Sequence, residues 1–87
     1  MAILSKQEII NALERLGQLA QAQGYEIELM IVGGAAMVLA YGARQSTHDV
    51  DVVILKPHEA RIVRELAKKV SLELDWNEDW LNDAAKG

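Results

Sequence analysis

Two acids one residue apart, Asp49-Val50-Asp51, follow a glycine pair, Gly33-Gly34, at a separation that a short helix and a loop would span. In an extended segment side chains alternate faces, so both carboxylates leave one side of the strand roughly 6.5 Å apart. Hard divalent cations take oxygen ligands, and Mg²⁺ characteristically uses one or two carboxylates while water and substrate phosphates complete its shell. Two acids opening an otherwise apolar strand repel each other and lose hydration, costs that a cation relieves. The alternative is a pair of strand-end acids facing water or bonded to loop amides. Gly33 and Gly34 let the backbone approach a ligand closely, and amides at the start of the following helix favour a phosphate. Taken alone, the glycines equally fit a tight strand-to-helix turn. Taken together, the four residues point to a nucleotide site, with Asp49 and Asp51 holding the metal and Gly33 and Gly34 facing the phosphates.

The elements that must position these groups are readable in outline. Ser5 with Glu8 three residues on forms a capping box, and Leu4 with Ile9 a hydrophobic staple, so a helix starts there. Ile9, Leu13, Leu16 and Ala20 continue its apolar stripe, and Gly24 ends it. The run 26–32 alternates and then turns fully apolar, as a strand entering a core does. A short helix is expected from Ala35 to Tyr41, ended by Gly42, and a covered central strand from Asp49 to Leu55. Pro57 suits the first turn of a further helix, whose buried stripe is Ala60, Val63, Leu66, Ala67 and Val70. Ser71 to Leu74 reads as a short third strand, and Asn77 as the cap of a final helical turn through Trp80, Leu81 and Ala84. The expected class is therefore α/β (α+β): a small mixed sheet of two to three strands flanked by helices, in the order α-β-α-β-α-(β)-α.

With 87 residues the chain forms one small domain, 1–87. Folding at that size buries only about 60 to 65% of the unfolded surface, so stability should be modest. The core must be aliphatic, since there is no Phe and only two Tyr and two Trp. The lack of cysteine removes disulfides and thiolate metal sites from consideration. Neither a signal peptide nor an apolar run of about 18 residues is present, which fits a cytoplasmic protein away from membranes. A net charge of -4 opposes nonspecific attraction to nucleic acid. Arg61, Arg64, Lys68 and Lys69 gather on one helix, a pattern more typical of a solvated face than of a binding patch.

The segment 31–54, an apolar residue, two small residues, a short helix, then acid, apolar, acid, apolar, resembles the DNA polymerase β-type nucleotidyltransferase superfamily. Arg44, Thr47, Asp49 and Asp51 after the glycine pair are similar to bacterial nucleotidyltransferases of toxin-antitoxin and abortive-infection systems. Asp79-Trp80-Leu81-Asn82-Asp83 also resembles a downstream segment of such proteins. The resemblance implies transfer of a nucleoside monophosphate from a nucleoside triphosphate to a hydroxyl, with Mg²⁺, or Mn²⁺ in its place. Asp49 and Asp51 would be catalytic, and Gly33, Gly34, Arg44 and Thr47 nucleotide-binding. Arg44 is equally suited to pairing with an acid, Thr47 to securing the loop, and His48 to a solvated neighbour as much as a proton carrier.

Active members add a third carboxylate from a later strand. Glu73 and Asp75 are the only acids near the expected third strand and match it poorly, which places that strand beyond Gly87 if Asp79 to Asp83 corresponds to the family segment. The chain then reads as short of its C-terminal part. A noncatalytic module of the same fold, acting through a partner protein or as a dimer, is the competing reading. Trp76 and Trp80 suit a core lid and, if uncovered, a homodimer interface. The acceptor, whether protein, RNA or small molecule, is left open.

Overall fold

The computed structural model describes residues 4–41 and 46–83. In chain order the elements are β1 (Leu4–Ser5), α1 (Lys6–Ala22), β2 (Glu28–Val32), α2 (Gly33–Ala36), which continues as a π-helical stretch (Met37–Tyr41), β3 (Ser46–Thr47), β4 (Val50–Lys56), α3 (Ala60–Leu74) and β5 (Leu81–Asp83). The class is mixed α+β. One sheet has the order β2-β4-β5, with β2 antiparallel and β5 parallel to β4. The other is a two-stranded antiparallel ribbon in which Leu4 faces Thr47.

Local chemistry sets the ends of the long helices. Glu8 N–H donates to Ser5 Oγ and Ser5 N–H to a Glu8 carboxylate oxygen, closing the capping box. Leu4 and Ile9 are both buried beside it. At the far end Gly24 takes φ +82°, Tyr25 N–H donates to Ala20 C=O and Gly24 N–H to Gln21 C=O. This is the Schellman pattern that satisfies the last carbonyls. Asp75 ends α3 in the left-handed region, φ 58°, and Trp76 N–H reaches back to Ser71 C=O.

The core is one cluster. Ile9, Ala12, Leu16 and Ala20 of α1 meet Val63, Leu66, Ala67 and Val70 of α3 over Val50 and Val52 of β4, with Ala35, Val38, Trp80 and Leu81 completing it. Because side chains alternate along β4, one face of the sheet carries this core while the other carries Asp51, Val53 and Leu55. On that second face Leu55 is 52% and Met30 49% exposed. The strand β4 is central, as its composition suggests, but among the described residues helices cover it on one face rather than both.

Three expected elements differ. Ser71–Leu74 is the last turn of α3 rather than a strand: Ser71 is buried on the helix stripe and its hydroxyl donates to Lys68 C=O. Asn77 opens a turn closed by Trp80 N–H to Asn77 C=O rather than a helix. The third strand of the sheet is then Leu81–Asp83 rather than Ser71–Leu74, because the free edge of β4 offers hydrogen-bond partners that a final helical turn would forgo. Smaller shifts are that α2 starts at Gly33 rather than Ala35, and α3 at Ala60, after Pro57 rather than on it. Gly42 and Ala84 lie outside the described residues. Trp80 is 2% exposed and its indole N–H donates to Ala67 C=O at 2.8 Å, while Trp76 stacks edge-on against it at 5.5 Å. These rings are a lid on the core, and Trp80 presents no open surface. Among the described residues no helix is long and apolar enough to cross a membrane.

Candidate functional site

The antiparallel register of β2 and β4 sets Val32 opposite Asp51. The residue after Val32 is Gly33, so the chain turns off the sheet directly beside that acid. Gly33 has φ +69°, a conformation that side-chain-bearing residues rarely adopt, and a Cβ there would lie 3.0 Å from Asp51 Oδ2. The carboxylate therefore rests on bare backbone. Gly34 is half-buried in the first turn of α2, where N–H groups lack partners within the helix.

On the other side of β4, Asp51 is in register with Asn82 of β5. Asn82 Nδ2 donates to Asp51 Oδ1 at 3.0 Å. One oxygen of the acid thus accepts from an amide while the other lies over Gly33. Asp51 itself is half-buried at the centre of the sheet.

Asp49 is placed differently from a regular strand residue. The strand begins at Val50, and Asp49 sits in the bend before it, exposed. Its carbonyl accepts from Thr47 Oγ1 at 3.3 Å, and Val50 N–H donates to Trp80 C=O at 2.7 Å, so the peptide unit that follows the acid is tied down at both its carbonyl and its amide. The side chains of Asp49, His48, Asn77 and Asp79 border a shallow depression beside Trp80. Thr47 is buried, and its hydroxyl supports the loop under Asp49. His48 is exposed. Arg44 lies outside the described residues.

Residues 7–85 match a model described as nucleotidyltransferase of unknown function (DUF6036). The chain belongs to this family. No curated protein and no solved structure matches it. Membership gives the nucleotidyltransferase-like character of the chain, and the segment that carried the resemblance is the one that builds the Gly33–Asp51 contact.

Among the described residues no group of three or more His, Cys, Asp or Glu converges to hold a metal ion unaided. Mg²⁺ characteristically takes one or two carboxylates and completes its shell with water and substrate phosphates, and Asp49 and Asp51 are donors of that type. Three of the four bases in the later cluster are paired with acids. Arg64 pairs with Asp83, Lys68 with Glu78 and Arg61 with Glu59, each at 3.6 Å.

Asn82 is the residue that sequence reading missed. Leu81 and Asn82 alternate buried and exposed, but three residues are too few for a period to stand out. Its nearness to Asp51 becomes visible only when β5 is seen beside β4.

Proposed function

We propose that the chain is a nucleotidyltransferase domain of the DNA polymerase β type, which transfers a nucleoside monophosphate from a nucleoside triphosphate to a hydroxyl acceptor. In that reaction the acceptor oxygen bonds to the α-phosphorus, the bond from that phosphorus to the bridging oxygen breaks, pyrophosphate leaves and the hydroxyl proton is released. The observation that carries the reading is the contact of Asp51 with Gly33, which leaves a carboxylate and a side-chain-free turn open to one ligand. Asp49 and Asp51 would hold Mg²⁺, or Mn²⁺ in its place. Such an ion, when bound, offsets phosphate charge in the transition state. Gly33 and Gly34 admit the phosphates to backbone donors, and the anchored loop at Thr47 keeps Asp49 from swinging away. Positioning and electrostatics supply most of the rate in phosphoryl transfer, and both depend on this rigidity.

The test is transfer from α-labelled nucleoside triphosphates with Mg²⁺ to protein, RNA and small-molecule hydroxyls. Label transferred by the wild type and lost in Asp49→Asn and Asp51→Asn supports the reading; transfer unchanged in both variants overturns it. A link to toxin-antitoxin systems belongs to the same proposal and predicts a protein acceptor.

A second reading is a binding module of this fold that works as a homodimer. It is favoured by the open sheet face, where Met30 and Leu55 are about half exposed. With Trp80 buried, that face is the better candidate for a second copy than the tryptophans. Sedimentation of the wild type and of Met30→Lys and Leu55→Lys separates the two readings: a dimer dispersed by either charge favours the module.

A further inference from the structure

The hydrogen bond from Asn82 to Asp51 joins two side chains at the surface, where water competes for both partners and the net gain to stability is small. Its geometry nevertheless has a clear effect on the acid. A carboxylate free to rotate about its last bond presents either oxygen in any direction. Here Oδ1 is occupied by an N–H donor, and Oδ2 is left over the Gly33 backbone.

The donor is itself held in place. Leu81, the preceding residue, is buried and in register with Val50. Trp80 before it is pinned by its indole bond to Ala67 C=O and by the Val50 N–H bond to its own carbonyl. Asp83, after it, is 10% exposed at its side chain and meets Arg64 of α3 at 3.6 Å. Anchors on both sides fix the backbone from which the Asn82 amide extends. The residue in this place is also uncharged.

Resting on the nucleotidyltransferase reading of the site, we infer that Asn82 is a positioning residue: its amide sets the orientation of the Asp51 carboxylate so that Oδ2 faces the cation bound with the triphosphate. Partners of this outer kind, which orient a metal ligand without touching the metal, typically change metal affinity by 10- to 100-fold when removed. Asn82 is exposed, so the lower end of that range, about tenfold, is the effect expected.

The experiment is Mn²⁺ titration of the full chain in the presence of inorganic triphosphate, followed by electron paramagnetic resonance, with urea unfolding of each variant alongside. Asn82→Ala is expected to bind Mn²⁺ about tenfold more weakly with its unfolding midpoint little changed. Asn82→Gln, which keeps the donor on a longer arm, should recover part of the loss. If Asp51→Asn abolishes binding while Asn82→Ala binds as the wild type does, the inference is wrong and the metal site stands. If Asn82→Ala loses affinity only in step with its stability, the residue is structural and the inference is equally overturned. If the wild type and Asp51→Asn do not differ, the metal site itself is absent and the inference fails with it.

Discussion

Asp51 Oδ2 lies so near Gly33 that a Cβ added to the glycine would meet it at 3.0 Å. The contact follows from two facts that are separate in sequence: β2 ends opposite Asp51, and the residue after its last one has no side chain. An acid and a glycine eighteen positions apart thereby become neighbours.

Gly33→Ala should accordingly affect both backbone and carboxylate. The φ of +69° costs an alanine about 1–2 kcal/mol, and its methyl group displaces the Asp51 side chain from its position. Urea unfolding should report the stability loss, and Mn²⁺ titration a weaker site.

Trp80→Ala should be the most damaging single truncation in the chain. It removes a ring that is 2% exposed, an indole hydrogen bond to α3 and the edge-on partner of Trp76. Large-to-small changes of this kind cost about 3–5 kcal/mol, a large share of the roughly 5–15 kcal/mol that holds an ordinary domain together. Loss of the cooperative thermal transition near room temperature, by circular dichroism, is the outcome expected.

Asp75→Gly should act in the opposite sense. Asp75 ends α3 at φ 58°, where glycine suffers no steric penalty. The substitution should raise stability by up to about 1 kcal/mol, partly offset by the greater freedom of glycine in the unfolded chain. A shift of the urea midpoint at constant slope would show it.

Acid should weaken the tie between the two long helices. Arg15 grips Glu73 through both carboxylate oxygens, at 2.8 and 3.0 Å, and this hydrogen-bonded pairing holds the Glu73 carboxyl below its ordinary range while raising the Arg15 guanidinium. A carboxyl whose folded value is depressed adds stability above its unfolded value, and that contribution fades as pH falls through the folded one. The stability gap between wild type and Glu73→Gln should therefore be present near neutral pH and close under acid conditions. Because the pair is exposed, added salt should narrow it as well.

How far the sequence reveals this architecture depends on the length of each signal. The capping box at Ser5 and Glu8, the stop at Gly24 and the stripes of α1 and α3 are local, repeated over several turns, and correctly legible. Ser71 to Leu74 is not, because four alternating residues fit a strand and the end of a helix alike, and only continuity with Val70 on the buried stripe decides. The strand at Leu81–Asp83 is set by the unpaired edge of β4, a tertiary cause that no local pattern contains. For the same reason the glycine pair and Asp51 could be singled out as chemistry-bearing residues, whereas Asn82 could not. Asp49 illustrates a finer limit: alternation puts it on the face of Asp51, but the strand begins one residue later and a bend governs where it points.

Calorimetric titration of Mg²⁺ with a nonhydrolysable nucleoside triphosphate into the wild-type chain and into Asp51→Asn tests the proposed site most directly. Binding that requires both metal and triphosphate in the wild type, and that falls at least tenfold in Asp51→Asn with folding intact, is the predicted result, since an isosteric amide keeps the shape beside Gly33 and removes only the charge. Equal binding by the two proteins, or none by the wild type, would contradict it.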